Sequence, residues 1–277
     1  MRTLKFSLII FSLGIYLIIG GILQLLLFWT DPYFRIKLMN RLTLVLMNTF
    51  ITVGNLHVTL KGNKDLLREN GLFIISTHVG YMDGIILGTL FFGSFTTKAS
   101  VKKTPLLGKV VSMGNSIFID RKRKRSINQY VDLMADRLRH GINVINFPEG
   151  FAHDGSQIHP FFSAFFDAPL KAKAPVLPVT IEYQKLNNST IFDIDDIYCF
   201  GGKTSIIKHL WKHLLRLKRI DVTVTIHDKI DTENFEDSSK GRKELSDYCR
   251  KNLSLWNKLP LVQNSPASVT VPPEQDS

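Results

Sequence analysis

Leu72-Phe73-Ile74-Ile75-Ser76-Thr77-His78-Val79-Gly80-Tyr81-Met82-Asp83-Gly84 begins as a strand and ends where a helix starts. Leu72 to Ser76 is a short apolar run, the pattern of a strand buried on both faces. Gly84 to Phe92 takes up helical spacing. Between the two lie a histidine and an aspartate, five positions apart. On one ideal helix they would point to different faces. A strand-to-helix turn instead brings the Asp83 carboxylate to the His78 imidazole. An aspartate that accepts from one ring nitrogen fixes the tautomer and leaves the other nitrogen to take a proton.

The alternation continues on both sides. Leu56 to Leu60, Phe95 to Val101, Ser116 to Ile119, Ile142 to Phe147, Val176 to Ile181 and Ile220 to Ile226 read as strands. Pro105 can open a helix at its first turn. Ser126 to His140 places Ile127, Tyr130, Val131, Met134 and Leu138 on one helical face, and Gly141 ends it. Strands alternating with helices through 56–230 are the signature of an α/β layer fold. The chain divides into an anchor region at 1–55, an α/β domain at 56–258 and a tail at 259–277. The tail holds Pro266, Pro272 and Pro273 and is expected to be disordered.

Phe6 to Phe28 is 23 positions without a charge. As a helix it spans roughly 34 Å, enough for a hydrocarbon core of about 30 Å. It is too long for a cleaved signal peptide and no small-x-small site follows it, so it reads as an uncleaved single-pass membrane helix. Trp29 and Tyr33 suit the interface. Arg35, Lys37 and Arg41 outnumber Arg2 and Lys5 on the other flank, which places the body on the cytoplasmic side. Leu42 to Val53 is shorter and carries Thr43, Asn48, Thr49 and Thr52; it reads as an interfacial or packing helix. Lys203 to Arg219 sets Ile206, Ile207, Leu210, Trp211, Leu214 and Leu215 opposite a basic face. That suits a helix on a membrane surface or a domain helix with a solvated side.

Over 277 residues, 35 Lys+Arg against 24 Asp+Glu give a net charge of +11. Such a field favours an anionic partner. Anionic lipid and phosphorylated small molecules qualify; nucleic acid lacks a recognition motif and interleaved aromatics here. Two cysteines, Cys199 and Cys249, exclude a disulfide scaffold.

Two further motifs end strands. Ser116-Ile117-Phe118-Ile119-Asp120 delivers Arg121, whose planar fork suits a phosphate. Phe147-Pro148-Glu149-Gly150 offers a carboxylate that can accept from a substrate hydroxyl, and a glycine that permits close backbone approach. Ligands of α/β sheets bind at strand carboxyl ends. His153 and His159 near Asp154 match no familiar metal spacing and read as loop histidines. Phe161, Phe162, Phe165 and Phe166 read as core or as the lining of an acyl groove.

His78-x4-Asp83, then Gly114…Phe118-Ile119-Asp120-Arg121, then Phe147-Pro148-Glu149-Gly150, then Val176-Leu177-Pro178-Val179 follow the motif order of the glycerolipid acyltransferases, which include the 1-acyl-sn-glycerol-3-phosphate acyltransferases. Pro105-Leu106-Leu107-Gly108 and Asp154-Gly155 resemble that family as well, and the likeness covers about 56–185. It implies a mixed β-sheet flanked by helices. It implies His78 as general base on a glycerol hydroxyl, Asp83 as its orienter, and Arg121, Glu149 and Gly150 as the acceptor's holders. The hydroxyl would attack an acyl-CoA or acyl-carrier protein thioester, with no metal or other cofactor, turning lysophosphatidate into phosphatidate. Two departures stand out: Thr77 where many members have Asn, and Phe151-Ala152-His153 where many have Thr-Arg or Thr-Ser. The loss of a basic residue keeps a second acceptor open, a different lysophospholipid, and Phe151 would reshape its pocket. A retired enzyme that binds anionic lipid is the rival of another class.

Overall fold

The computed structural model describes residues 2–120, 126–190, 196–197, 205–212 and 214–262. Its centre is one seven-stranded sheet. The strands are β1 (Leu56–Gly62), β2 (Phe73–Ile75), β3 (Gly93–Lys98), β4 (Ile117–Ile119), β5 (Asn143–Asn146), β6 (Val176–Leu186) and β7 (Ile220–Ile226), in spatial order β1-β7-β6-β2-β5-β3-β4. From β6 across to β4 every pair is parallel; β6 and β7 are antiparallel, and β1 joins β7 in parallel. The sheet is therefore mixed and carries helices on both faces, as the motif order implied.

Phe73, Ile74 and Ile75 have no exposure at all, because β2 has a strand on each side and helices above and below. Their period-two alternation divides the core. Ile74 joins Ile145, Leu177 and Val179 beneath α3 (Tyr81–Leu90). Phe73 and Ile75 join Val144 and Val176 beneath α5 (Ile127–Arg139) and α8 (Ser239–Asn257). Two short helices, α4 (Leu107–Met113) and α6 (Asp167–Ala172), complete the layers. Phe165 and Phe166 are core, with Phe166 set edge-on to Phe73.

The N-terminal region differs from expectation in one respect. A second long helix, α2 (Pro32–Val53), starts ten residues before Leu42. Asp31 caps it by accepting from Phe34 N–H at 2.8 Å, and Pro32 sits in its first turn. Arg35 closes the end of α1 (Arg2–Leu26) by donating to the carbonyls of Leu27, Phe28 and Thr30. The two helices run antiparallel as a hairpin, joined by Tyr16 and Thr43 hydroxyls 2.9 Å apart. Both are long and apolar enough to cross a membrane. Yet α1 also lies along the domain. Phe6 meets Trp211 edge-on at 5.0 Å, Lys5 Nζ donates to Leu217 C=O, and a Cβ on Gly20 would meet Met113 and Met39. On its other face Leu4, Leu8, Phe11, Ile15, Ile18 and Ile22 form an exposed stripe.

Two further segments are decided by the structure, the first in favour of a domain element with a solvated basic side. The 203–219 stretch is no continuous surface helix. α7 (Ile206–Lys212) is short, and Leu210, Leu214 and Leu215 are buried in the domain core; 203, 204 and 213 lie outside the described residues. Burying each leucine is worth about 1.5–3 kcal/mol, which a membrane surface must match to pull the face away. At the other end, residues 259–262, assigned above to the tail, fold back on the domain, where Leu261 bridges Ile158. Cys249 is buried in α8, which raises its thiol pKa, and Cys199 lies outside the described residues.

Leu214→Ala should cost about 2–5 kcal/mol of stability. Ile207→Ala, at an exposed position, should cost about 0.5 kcal/mol or less. Denaturant titration of both variants checks the pair; equal, small costs would return the segment to the surface.

Candidate active site

The chain leaves β2 at Ile75, passes Ser76 and Thr77, and places His78 just beyond the carboxyl edge of the sheet. Gly80 caps α3, and Asp83, three residues on, turns its carboxylate back to that cap. Asp83 Oδ2 accepts from Val79 N–H at 2.7 Å and Gly80 N–H at 3.0 Å, and lies 3.0 Å from His78 Nδ1. Oδ1 accepts from the Tyr183 hydroxyl at 2.7 Å. The carboxylate is fully enclosed, while the histidine side chain keeps 22% exposure. A buried carboxylate facing Nδ1 makes Nδ1 the protonated nitrogen. Nε2 then presents a lone pair, and among the described residues it has no hydrogen-bond partner. The ring is held flat against Phe147, centroids 4.0 Å apart.

Phe147 belongs to the loop after β5, the neighbour of β2. The tie between the loops is direct: His153 N–H donates to His78 C=O at 3.0 Å. Gly150 sits at φ +83°, a left-handed turn that suits glycine, with its N–H on Phe147 C=O. Glu149 is buried, and its Oε2 accepts from His159 N–H at 2.8 Å. His153 is buried beside it, Nε2 lying 2.8 Å from the same oxygen. Burial, then the neighbouring His153, holds the His159 pKa below the ordinary histidine value. Asp154 Oδ1 takes both the N–H and the hydroxyl of Ser156, which keeps that carboxylate below its usual range and shapes the loop. Arg250 of α8 clamps the far end, donating to the carbonyls of Ile158, His159 and Val262.

The structure thus brings His78, Asp83, Glu149 and Gly150 together. Arg121 lies outside the described residues; β4 ends at Ile119, two positions earlier. Sequence reasoning missed Tyr183, His153 and Arg250. Tyr183 had a signal, since β6 continues past Ile181 with the same alternation. His153 and Arg250 had none: the first reads as a loop histidine, and the partners of the second, the carbonyls of Ile158, His159 and Val262, are set by the fold rather than by spacing. Phe151 is 38% exposed and packs edge-on against His159. Among the described residues no three acidic, histidine or cysteine side chains converge as metal ligands.

Fold and site define an α/β domain with an aspartate-oriented imidazole at the carboxyl edge of its sheet. The acyltransferase family model matches residues 57–182, the segment that holds the site. A 1-acyl-sn-glycerol-3-phosphate acyltransferase of Neisseria gonorrhoeae is 32% identical over 114 residues, 41% of this chain and 45% of that protein. The match therefore spans less than half the length of that relative. A lyso-ornithine lipid O-acyltransferase of Rhizobium meliloti is 26% identical over 207 residues, 72% of this chain and 70% of that protein. The crystal structure of a 1-acyl-sn-glycerophosphate acyltransferase from Thermotoga maritima shares the fold, with TM-score 0.57 and 18% identity over 92% of this chain and 98% of that one. Residues 57–182 are thus similar to the acyltransferases, and the chain shares the fold of the Thermotoga enzyme.

Asp83→Asn should both destabilise and inactivate. An amide nitrogen cannot accept, so at least one buried donor loses its partner at about 1–3 kcal/mol, and activity should fall about 10²–10⁴-fold. Tyr183→Phe removes one donor of the set and should cost about tenfold in rate with little change in melting temperature. Thermal melts and steady-state rates test both. Full activity in Asp83→Asn would deny the orienting role.

Proposed function

We propose that the protein is a membrane-bound O-acyltransferase that moves a fatty acyl group from acyl-CoA or acyl-carrier protein to the free hydroxyl of a lysolipid. The observation that carries this is His78, its Nδ1 3.0 Å from a buried carboxylate and its Nε2 side open. Nε2 takes the hydroxyl proton as the hydroxyl oxygen attacks the thioester carbonyl carbon. The tetrahedral intermediate then collapses, the C–S bond breaks, and the imidazolium returns the proton to the leaving thiolate. The products are an ester and a free thiol. The steps draw only on the chain's own residues and the co-substrate, so we assign no cofactor. Asp83 stabilises the imidazolium between the two transfers. Arg121 is assigned to the acceptor's phosphate.

The first acceptor is lysophosphatidate, which the motif order suggests and the name of the Neisseria relative matches. The reaction would supply phosphatidate to phospholipid synthesis. The second acceptor is an amino-acid-headed lysolipid, favoured by the longer match to the lyso-ornithine lipid O-acyltransferase and by Ala152 in place of a basic residue.

We assign the basic surface to anionic lipid and the donor's phosphates rather than nucleic acid. An open groove of about 560 Å³ between α1 and α4 supports this, with Leu17 and Met113 beside Lys102 and Lys109. The exposed stripe of α1 is assigned to the bilayer. Because α1 is hairpinned to α2 and docked on the domain, the pair rather than a lone span makes the attachment. The net charge of +11 suits the anionic cytoplasmic leaflet, so the domain is assigned to that side.

The detergent-purified full chain, given labelled oleoyl-CoA or oleoyl-carrier protein and a panel of lysolipids, should form diacyl product. His78→Ala should lower the rate at least about 10²-fold. No product with either donor, alongside intact lipid binding, would replace this reading with a lipid-binding protein.

A further inference from the structure

Two buried polar atoms beside the base make no aligned hydrogen bond: Glu149 Oε1 and His153 Nε2. They are neighbours, because His153 Nε2 lies 2.8 Å from Oε2 of the same carboxylate. Glu149 is 1% exposed and His153 5%. The loop sets the tautomer of His153. Gly155 N–H donates to its Nδ1 at 3.0 Å, so the proton sits on Nε2. Glu149 Oε2 is held by His159 N–H. One N–H donor and one carboxylate acceptor therefore stand side by side, fixed and out of water. Buried polar atoms are normally satisfied, and a pair left open at a substrate site calls for a ligand. The pair adjoins the base, since His153 N–H donates to His78 C=O and Phe147 stacks on the His78 ring.

We propose that Glu149 and His153 bind a neutral group of the acyl acceptor that both donates and accepts a hydrogen bond, a hydroxyl or an amide. The pair thereby selects headgroups carrying such a group over a bare phosphate monoester. This rests on the acyl-transfer reading and decides between its two acceptors. A phosphate dianion brings acceptors only. It would satisfy His153 but press negative charge against the buried Glu149, where little water screens it. A hydroxyl or amide satisfies both atoms at once. His159 supplies no compensating cation, because burial favours its neutral form.

The test compares matched oleoyl acceptors on the full chain in detergent: lysophosphatidate, lysophosphatidylglycerol for the hydroxyl, and a lyso-ornithine lipid for the amide. The wild type should favour at least one of the latter two by about tenfold in kcat/KM, the size of one good hydrogen bond. His153→Ala should bring that ratio to within about threefold, through KM more than kcat. His153→Gln, which keeps a side-chain N–H donor, should restore most of it. Preference for lysophosphatidate, or a ratio unchanged in His153→Ala, would overturn the proposal. Should no acceptor turn over, the acyl-transfer reading itself fails, and binding decides the receptor. The rise in melting temperature given by lysophosphatidylglycerol without donor must then shrink in His153→Ala and survive in His78→Ala. An equal rise in both variants, or none in the wild type, ends the proposal.

Discussion

One buried carboxylate holds the carboxyl edge of this sheet together around His78. Asp83 takes hydrogen bonds from two backbone amides and a tyrosine hydroxyl and lies at hydrogen-bond distance from an imidazole. A charge removed from water is costly unless its lone pairs are occupied. Here the cost is met locally, by charge-assisted bonds and by the N-terminus of α3, whose dipole favours negative charge. The same bonds cap the helix, bend the chain out of β2, and anchor the far half of β6 through Tyr183. One group thus serves twice: what terminates the loop also orients the His78 imidazole.

The second half of the site hangs from that arrangement through the backbone. His153 N–H on His78 C=O fastens the Glu149 loop to the histidine loop, and Arg250 fastens its far end to α8. This edge of the sheet is therefore built from segments as far apart in the chain as His78 and Arg250, joined by hydrogen bonds to main chain rather than by surface charge pairs. The α1–α2 hairpin completes it on the core side of α3. Ile9 and Phe50 share the apolar layer of Ile74 and Leu87, so the hairpin and α3 pack into one core.

Much of this was legible in the amino-acid order. The interior strands carry apolar runs with a period-two split, and three of the four motifs follow the end of a strand. Asp83 and His78 could be paired because the change of period between them demanded a turn. Three things resisted reading. The start of α2 lay in the Asp31-Pro32 cap, masked by the charges of Arg35, Lys37 and Arg41, which suggested a flank. Residues 203–219 kept perfect helical spacing, yet their leucines found a core instead of a surface. His153 and Arg250 act through partners distant in the fold, a dependence that spacing along the chain does not carry.

The orientation of the base is the claim on which the chemistry stands. It is tested most directly by nitrogen NMR on the full chain with ¹⁵N-labelled histidine, the His78 resonances identified by their loss in His78→Ala. At neutral imidazole the account predicts a proton on Nδ1 and a bare Nε2, the tautomer that the Asp83 carboxylate dictates. A proton found on Nε2, or a ring averaging freely between tautomers, would contradict it.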